Sequence, residues 1–201
     1  MIKKEIIKNF TDDEIAQIAR LHINNIKSGF LSSLGEDFLK LIYFSIQKKG
    51  VLIGLRSDNS VIGFVSGVED INAVYYEFIK KNFFKAFFFI LPKMISFNVI
   101  KKVVEIALYP LQKKIDKIEL PKAELLSIVM EPDQRGTGGA EVLYKELVKD
   151  FQGKNIEKFK IIVGAKLIGA QKFYSKMGAL QLDSINIHKG EKSWVYLQQI
   201  A

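Results

Sequence analysis

The chain has 201 residues, 48% hydrophobic and 26% charged, which is the composition of a folded soluble domain and not of a disordered or fibrous chain. It contains no cysteine, which excludes disulfides, thiolate nucleophiles and cysteine-ligated zinc, and His22 and His188 lie too far apart in sequence to form a metal-ligand pair. The net charge of +8 fits nucleic acid, anionic lipid or an anionic cofactor, although scattered solvated lysines explain it most simply.

The first third of the chain predicts a strand, two helices and a β-hairpin. The segment IKKEIIKNF predicts the strand, and Thr11 followed by Glu14 resembles a capping box that opens a helix over residues 12–26. A second helix, EDFLKLIYFSIQKKG, is expected to end at Gly50. VLIGLRSDNSVIGFVSGV predicts two strands joined by the turn SDNS. The expected inward residues of the two helices are Ile15, Ile18, Ala19, His22 and Ile26, then Phe38, Leu41, Ile42 and Ile46.

Residues 71–121 differ in character, because they are rich in lysine and phenylalanine. NAVYYEFIKKNFFKAFFFIL predicts a largely apolar helix on which Glu77, Lys81 and Lys85 form a narrow polar stripe, and Pro92 ends or kinks it. The apolar run between lysines is too short to span a membrane. A second helix, IKKVVEIALYPLQKK, follows. Three interpretations stay open for this segment: packing on its own domain, a homodimer contact, or a surface that meets lipid or covers a substrate.

The last third of the chain predicts a strand–turn–helix–strand unit followed by a short helix and a hairpin. ELLSIVM is apolar enough for a central buried strand, and FKIIVGA predicts another. Between them, GAEVLYKELVKDF has helical spacing with Val142, Leu143, Leu147 and Phe151 inward. IGAQKFYSKMG predicts a short helix capped by Gly178. ALQLDSINIHKGEKSWVYLQQI predicts a closing hairpin that turns at KGEK.

The turn between the first of these strands and its helix reads EPDQRGTGGAEVL. Free backbone amides at a helix N-terminus bind anions, and glycines let the anion approach. Gly136, Gly138 and Gly139, with Thr137 and Ala140, therefore predict an anion-binding nest. Arg135 adds a charged donor suited to phosphate. A merely tight connection is the alternative, and the spacing fits neither a P-loop nor a dinucleotide motif.

The sequence resembles the GNAT superfamily of acyl-CoA-dependent N-acyltransferases. Arg135, Gly138 and Ala140 fit its pyrophosphate-loop pattern, and Ala170, Phe173, Tyr174 and Gly178 fit its Ala-x-x-Phe-Tyr-x-x-x-Gly helix. The resemblance implies one α/β domain over residues 1–201, with a central mixed, mostly antiparallel sheet of about seven strands flanked by helices. It also implies a helical insertion between the third and fourth strands, at about 71–121. Leu167 departs from the family, since many members carry an asparagine there.

The resemblance also implies a donor and a set of site residues. The loop from Arg135 to Ala140 would bind the pyrophosphate of acetyl-CoA, and the pantetheine arm would lie between LLSIVM and KIIVGA. Backbone groups near Ile128, Val129 and Met130 would pair with that arm. Tyr174 would protonate the leaving thiolate, or merely pack. Glu124 is the first candidate base, ahead of Glu69 and Asp70, although each is more simply a solvated carboxylate at a strand end; bulk water is an alternative base. His22 is interpreted as a hydrogen-bonded core histidine near the acceptor pocket.

The leading hypothesis is an N-acetyltransferase that uses acetyl-CoA, without a metal, to acetylate a small-molecule or protein amine. One alternative is a non-catalytic acyl-CoA-binding or regulatory module. Another is a basic protein of membrane surfaces or nucleic acid; nucleic acid is disfavoured, and peripheral membrane contact by the insertion and homodimerisation stay open. The segment MIKKEIIKNF lacks the features of a signal peptide. The sequence therefore predicts a cytoplasmic protein.

Overall fold

The computed structural model describes residues 4–26, 30–90, 120–188 and 191–200. Within these residues there are seven strands, six α-helices and one short 3-10 helix at Pro132–Gln134. In chain order the elements are β1 Lys4–Ile7, α1 Asp12–Asn25, α2 Phe30–Ser33, α3 Glu36–Lys49, β2 Val51–Ser57, β3 Ser60–Val68, α4 Ile71–Ile90, β4 Glu124–Met130, α5 Gly139–Gly153, β5 Lys158–Gly164, α6 Ile168–Lys176, β6 Leu180–His188 and β7 Glu191–Gln199.

The seven strands form one sheet in the order β1-β2-β3-β4-β5-β7-β6. Every neighbouring pair is antiparallel except β4 and β5, which are parallel. A parallel pair needs a crossover, which here runs through α5. The predicted mixed, mostly antiparallel sheet with flanking helices is thus confirmed, and α4 lies between the third and fourth strands as expected.

Helix α1 begins where the sequence predicts it. The Thr11 hydroxyl accepts the Glu14 amide, and the Glu14 carboxylate accepts the Thr11 amide at 2.9 Å. This reciprocal capping box satisfies two amides that would otherwise lack helical partners, a contribution of about 1 kcal/mol. Glu14 is also bound by the Arg56 guanidinium at 3.0 Å, so the same carboxylate fixes the helix start to strand β2.

The sheet separates two hydrophobic layers. On one face, α5 and α6 cover a cluster that contains Leu125 and Met130 of β4. On the other face, α1 and α3 cover a cluster that contains Val129. The predicted inward residues Leu143, Leu147 and Phe151 of α5 are fully buried. The prediction for Val142 was wrong: it is 44% exposed and Tyr144 is buried instead, because the helix presents the 143/144/147/151 positions to the sheet.

Helix α4 packs against α3. The Phe38 and Phe78 rings meet edge-on with centroids 5.5 Å apart, and the Asn82 amide donates to the Ser45 hydroxyl at 3.4 Å. Glu77 of the predicted polar stripe is buried, whereas Lys81 and Lys85 are exposed. Some predictions fall outside the described residues. These are the end or kink at Pro92, the second helix of the insertion, and the turn at Lys189 and Gly190.

Candidate functional site

Strands β4 and β5 form an open cleft. They pair only at Glu124 with Lys160 and at Leu125 with Ile161, although each strand has seven residues. Beyond Leu125, the edge of β4 that faces β5 therefore has no strand partner. Such an edge offers free amides and carbonyls to an extended ligand.

A β-bulge in β4 lies where the strands part. Ser66 of β3 pairs with Ser127, and Gly67 pairs with Leu125, so Leu126 is the extra residue. After a bulge, the alternation of backbone amides and carbonyls between the two edges of the strand is shifted by one residue. Before it, the carbonyl of Ala123 faces β5 and accepts the Lys160 amide at 2.9 Å.

After the bulge, the Glu131 amide donates to the Ile62 carbonyl of β3 at 2.9 Å. Because backbone groups alternate in direction along a strand, Val129 also directs its amide and carbonyl to β3. Ile128 and Met130 direct theirs into the cleft. Of the three residues predicted to offer backbone groups there, two therefore do so.

The glycine-rich loop connects the end of β4 to α5. Gly136 and Gly138 have φ angles of +76° and +83°, a left-handed conformation that residues with a side chain rarely adopt. Gly138 is the N-cap of α5. A side chain at either position would meet no heavy atom within 4 Å. The two glycines are therefore required by backbone conformation, and the space above them is open.

The amides of this loop are available for a ligand. Within the part of the chain that the structure describes, none of the backbone amides from Gly136 to Ala140 donates a hydrogen bond to a protein acceptor. The first α5 bond of this turn is that of the Val142 amide to the Gly138 carbonyl, at 3.1 Å. Unpaired amides at the positive end of a 15-residue helix are suited to bind an anion.

Gly139 has a different role from its two neighbours. It is the first residue of α5 and is buried. A Cβ atom at this position would lie 2.6 Å from the Met130 side chain and 3.0 Å from Leu55. The glycine thus lets the helix start close to the sheet, and packing, not a special backbone conformation, requires it.

Basic side chains surround the loop. The Arg135 guanidinium hydrogen-bonds the Asn25 side chain in the last residue of α1. The Lys4 ammonium donates to the Thr137 hydroxyl at 3.1 Å, and that hydroxyl donates to the Gln134 carbonyl at 2.8 Å. Lys176 of α6 pairs with Glu141 in the first turn of α5 at 2.9 Å. The loop is therefore held by β1, α1 and α6.

Tyr174 lies on α6 within an aromatic cluster. Its ring centroid is 6.4 Å from that of Tyr144 and 6.2 Å from that of Tyr196, and burial raises the pKa of its phenol. Among the described residues its hydroxyl has no hydrogen-bond partner, and this oxygen is not completely closed off from solvent. The residue is 6% exposed, and the raised pKa keeps its phenol protonated at neutral pH.

Glu124 lies at the start of β4, beside the point where the cleft opens. Its side chain is 8% exposed, and Lys160 of β5 approaches its Oε2 to 3.4 Å. Burial raises the pKa of this carboxyl, and the Lys160 charge opposes that rise. Lys160 also donates to the carbonyl of Pro121 at 2.8 Å. The phenol of Tyr75 faces the same group, and burial together with the Glu124 charge raises its pKa to about 12.

The other two carboxylates considered at this edge of the sheet form ion pairs near the surface. Glu69 binds Lys154 at 2.9 Å, and Asp70 binds Lys122 at 3.5 Å. Neither is as buried as Glu124, for which the interpretation as a solvated carboxylate was wrong because its side chain is only 8% exposed. These contacts fit the predicted interpretation of solvated strand-end carboxylates.

His22 is a buried, hydrogen-bonded histidine, as predicted. Its Nδ1 lies 2.6 Å from the Tyr43 hydroxyl, and the Ser127 side chain at the β4 bulge is close enough to Tyr43 to lower the pKa of its phenol against the rise caused by burial. Burial lowers the pKa of His22 to about 4. The imidazole is therefore neutral at neutral pH, and the network joins α1 and α3 to the bulge.

Leu167 is the N-cap residue of α6 and provides no side-chain cap. It is 51% exposed, so an apolar side chain stands where an asparagine would cap the helix. Among the described residues, no helix is long and apolar enough to cross a bilayer. In the same residues, no group of three or more histidine, aspartate or glutamate side chains is placed to hold a metal ion.

Three contacts of this site have no signal in the sequence. Lys160 contacts Glu124, Tyr43 contacts His22, and Asn25 contacts Arg135. Whether these residues meet their partners depends on strand register and helix packing. One sequence carries no pattern that would identify them.

The comparisons with known proteins agree on one fold. The family model described as Acetyltransferase (GNAT) family matches residues 22–179. The chain resembles yncA from Salmonella typhimurium, solved with its cofactor acetyl-CoA (TM-score 0.61, 9% identity, 98% of this chain and 94% of that chain). It also resembles the paiA N-acetyltransferase from Thermoplasma acidophilum in complex with coenzyme A (0.60, 14%, 98% and 99%).

A third similar structure is the ribosomal-protein-S18-alanine N-acetyltransferase from Escherichia coli (TM-score 0.55, 14% identity, 99% of this chain and 95% of that chain). A search among curated proteins finds no significant sequence match. At these identities the structural likeness concerns the fold, whereas the family model covers most of the chain.

Proposed function

The chain belongs to the GNAT acetyltransferase family, and we propose that it transfers an acetyl group from acetyl-CoA to a primary amine by direct attack in a ternary complex. One observation carries the proposal. Unpaired amides from Gly136 to Ala140 lie at the N-terminus of α5, directly beyond the open edge of β4. An anion site and a free strand edge in line suit a donor that has a diphosphate at one end and an amide-bearing arm at the other.

The loop would bind the diphosphate of the donor. The amides of Gly136, Thr137, Gly138, Gly139 and Ala140 have no competing acceptors, and the helix dipole favours negative charge at this point. Arg135 and Lys4 add positive charge beside the loop. The open space above Gly136 and Gly138 fits such an anion.

The free edge of β4 would bind the pantetheine arm. Ile128 and Met130 direct backbone groups into the cleft, and these groups are spaced like those of a neighbouring strand. One of the two amides would also hold the thioester oxygen as it becomes negative. Such a donor contributes about 3 to 4 kcal/mol to lowering the barrier. Val129 supports this edge by pairing with β3.

The reaction would use two side chains at the cleft. Glu124 accepts a proton from the incoming ammonium, either directly or through water, and the neutral amine attacks the thioester carbonyl. The new C–N bond forms, the C–S bond breaks, and Tyr174 gives its proton to the departing thiolate. The nitrogen then loses its surplus proton, which returns the Tyr174 phenolate to a phenol through solvent, and Glu124 releases its own proton to water. The raised pKa of Tyr174 keeps the phenol protonated until the thiolate appears. Holding both reactants together supplies much of the acceleration without a covalent intermediate.

The acceptor would be a small-molecule or protein amine. The Escherichia coli neighbour named above acetylates an alanine of ribosomal protein S18, so this fold accommodates protein amines as well as small ones. The same proposal includes a cytoplasmic location, because acetyl-CoA is available in the cytoplasm.

The test is direct because the chain has no cysteine. Calorimetric titration with acetyl-CoA and coenzyme A should show one site per chain. Coenzyme A released in the presence of an amine panel can be followed with a thiol reagent, free of protein background. Failure of both ligands to bind at millimolar concentration would refute the proposal.

A second candidate function is a non-catalytic acyl-CoA-binding module. Two observations favour it: Leu167 leaves the start of α6 uncapped, and Glu124 is already engaged by Lys160. This candidate predicts coenzyme A binding without thiol release for every amine tested. Measurable turnover that falls on Tyr174→Phe, with unchanged cofactor affinity, would exclude it.

A further inference from the structure

The outward side of α4 is an exposed aromatic face. Six apolar side chains on this side are between 45% and 76% exposed, and they follow helical spacing: Tyr76, Ile79, Phe83, Phe84, Phe87 and Phe88. The opposite side of α4 packs on α3 through Phe78, Asn82 and Ala86. An apolar surface of this size on one helix marks a docking site.

Lysines accompany the aromatic rings. Lys80 lies within the face, its ammonium 5.9 Å from the centre of the Tyr76 ring, and Lys81 and Lys85 are exposed along its border. Among the described residues, none of the three has a carboxylate within 4.0 Å. The only acidic residue of α4, Glu77, is buried on the side toward α3. Lys81 and Lys85 also line the groove toward α3 that contains Glu77. The outward side of α4 thus combines exposed rings with Lys80 and is bordered by two further lysines that form no ion pair among the described residues.

The charge decides between the two simplest occupants. A second copy of the chain would bring two sets of three lysines together with no acidic partner on either face, and like charges repel. An anionic bilayer surface supplies negative charge for the lysines and an apolar boundary for the rings. Long lysine stems can extend to the phosphates while the rings enter the acyl boundary.

We propose that α4 is a membrane-docking helix that lies flat on bilayers containing anionic phospholipids, with its aromatic face in the interface. The helix has 20 residues, which gives a length of about 30 Å along the membrane plane. A helix that lies in the interface plane binds peripherally and reversibly. The inference does not depend on the proposed acetyl transfer.

Vesicle flotation with the full chain tests the proposal. Binding to phosphatidylcholine vesicles that contain phosphatidylglycerol should exceed binding to phosphatidylcholine alone and should weaken as salt is raised. The triple substitution Lys80→Gln, Lys81→Gln and Lys85→Gln should lower partition about fivefold per lysine. A control with the same change in net charge is Lys145→Gln, Lys158→Gln and Lys172→Gln, which changes exposed lysines elsewhere and should bind nearly as the wild type.

The aromatic contribution has its own pair of variants. Phe84→Ser with Phe88→Ser should lower partition at least tenfold, since about 0.8 kcal/mol is lost for each CH₂ group withdrawn from the bilayer. Leu180→Ser with Leu182→Ser changes exposed apolar residues of β6 and should have little effect. Thermal unfolding of each variant checks that the fold is intact.

A fluorescence measurement places α4 in the bilayer. Trp194 is the single tryptophan, so Trp194→Phe with Phe84→Trp reports on α4 alone. Its emission should shift to the blue on vesicle binding and be quenched by brominated lipid. Absence of wild-type binding to anionic vesicles at low salt would overturn the proposal. So would a concentration-dependent dimer abolished by the two serine substitutions in α4, without any vesicle binding.

Discussion

The Lys160 ammonium and the Glu124 carboxylate face each other at 3.4 Å where β4 and β5 are still paired, immediately before the cleft opens. Both side chains are largely buried. Breaking such a pair leaves an uncompensated charge in a site of low dielectric constant. The pair therefore controls the proton affinity of the candidate base.

Lys160→Met is expected to shift the acid limb of the kcat/KM profile to higher pH. A base works when deprotonated, so activity falls as the pH drops through its pKa. Burial already raises the pKa of Glu124, and removal of the opposing Lys160 charge raises it further. Tyr75, the other titratable group facing Glu124, is expected to stay neutral because its pKa is about 12. The profile is measured by thiol release.

Glu124→Gln is the companion to this measurement. It should lower turnover about a hundredfold and abolish the acid limb. An unchanged limb in both variants would remove Glu124 from the role of base, without touching donor binding.

Tyr174→Phe is expected to lower kcat about a hundredfold while the affinity for coenzyme A changes less than twofold. The hydroxyl is the only group removed, and it holds no described partner in the fold. Tyr144→Phe is the matched control, since Tyr144 lies in the same aromatic cluster and its hydroxyl bonds Gln198 at 2.8 Å. That control should cost about 1 kcal/mol of stability and leave kcat unchanged. Equal effects of the two substitutions on kcat would contradict the assignment of Tyr174.

Gly138→Ala is expected to weaken coenzyme A binding about tenfold or more. Alanine at a φ of +83° costs about 1 to 2 kcal/mol, and relief of that strain would turn the loop amides away from the ligand. Gly153→Ala, at the far end of the same helix with open space around it, should bind coenzyme A as the wild type does. Calorimetry compares the two variants, and equal affinities would show that the loop conformation does not matter for the donor.

His22 is expected to make the fold sensitive to acid. Its pKa of about 4 in the folded state lies below the unfolded value, so the unfolded chain binds the extra proton between about pH 6.5 and pH 4. Stability is therefore lost as the pH falls through this window, by about 2 kcal/mol at pH 5. Urea unfolding at pH 7 and pH 5 measures the loss.

His22→Gln should be less stable at pH 7, because the Tyr43 bond is altered, but should lose about 2 kcal/mol less than the wild type on going to pH 5. Carboxylates titrate alike in both proteins, so the difference isolates the histidine. Parallel losses in the two proteins would contradict a buried neutral His22.

Sequence patterns sufficed for elements whose cause is local. The capping box of Thr11 and Glu14, the hairpin turn after Ser57 and the glycine loop each depend on neighbours within a few residues, and the structure has them where predicted. The exposure of Val142 was not predictable in this way. Its position on α5 depends on which stripe meets the sheet.

The finer parts of the site depend on register. The bulge at Leu126 arises because Ser66 pairs with Ser127 while Gly67 pairs with Leu125. As a result, the backbone groups of Ile128 and Met130, but not those of Val129, face the cleft. Lys160 meets Glu124 through the same strand alignment. Such relations arise between distant segments, so periodicity and propensity within one segment cannot reveal them.

Met130 and Gly139 connect the two ends of the site. Met130 is the last residue of β4 and directs its backbone groups into the cleft, while its side chain packs where α5 begins at Gly139, which has no side chain. The Met130 side chain and the bare backbone of Gly139 thus together influence the distance between the glycine loop and the free strand edge. A donor bound as proposed would be selected by the length of the arm between its diphosphate and its sulfur. The acyl group on the sulfur would affect binding less.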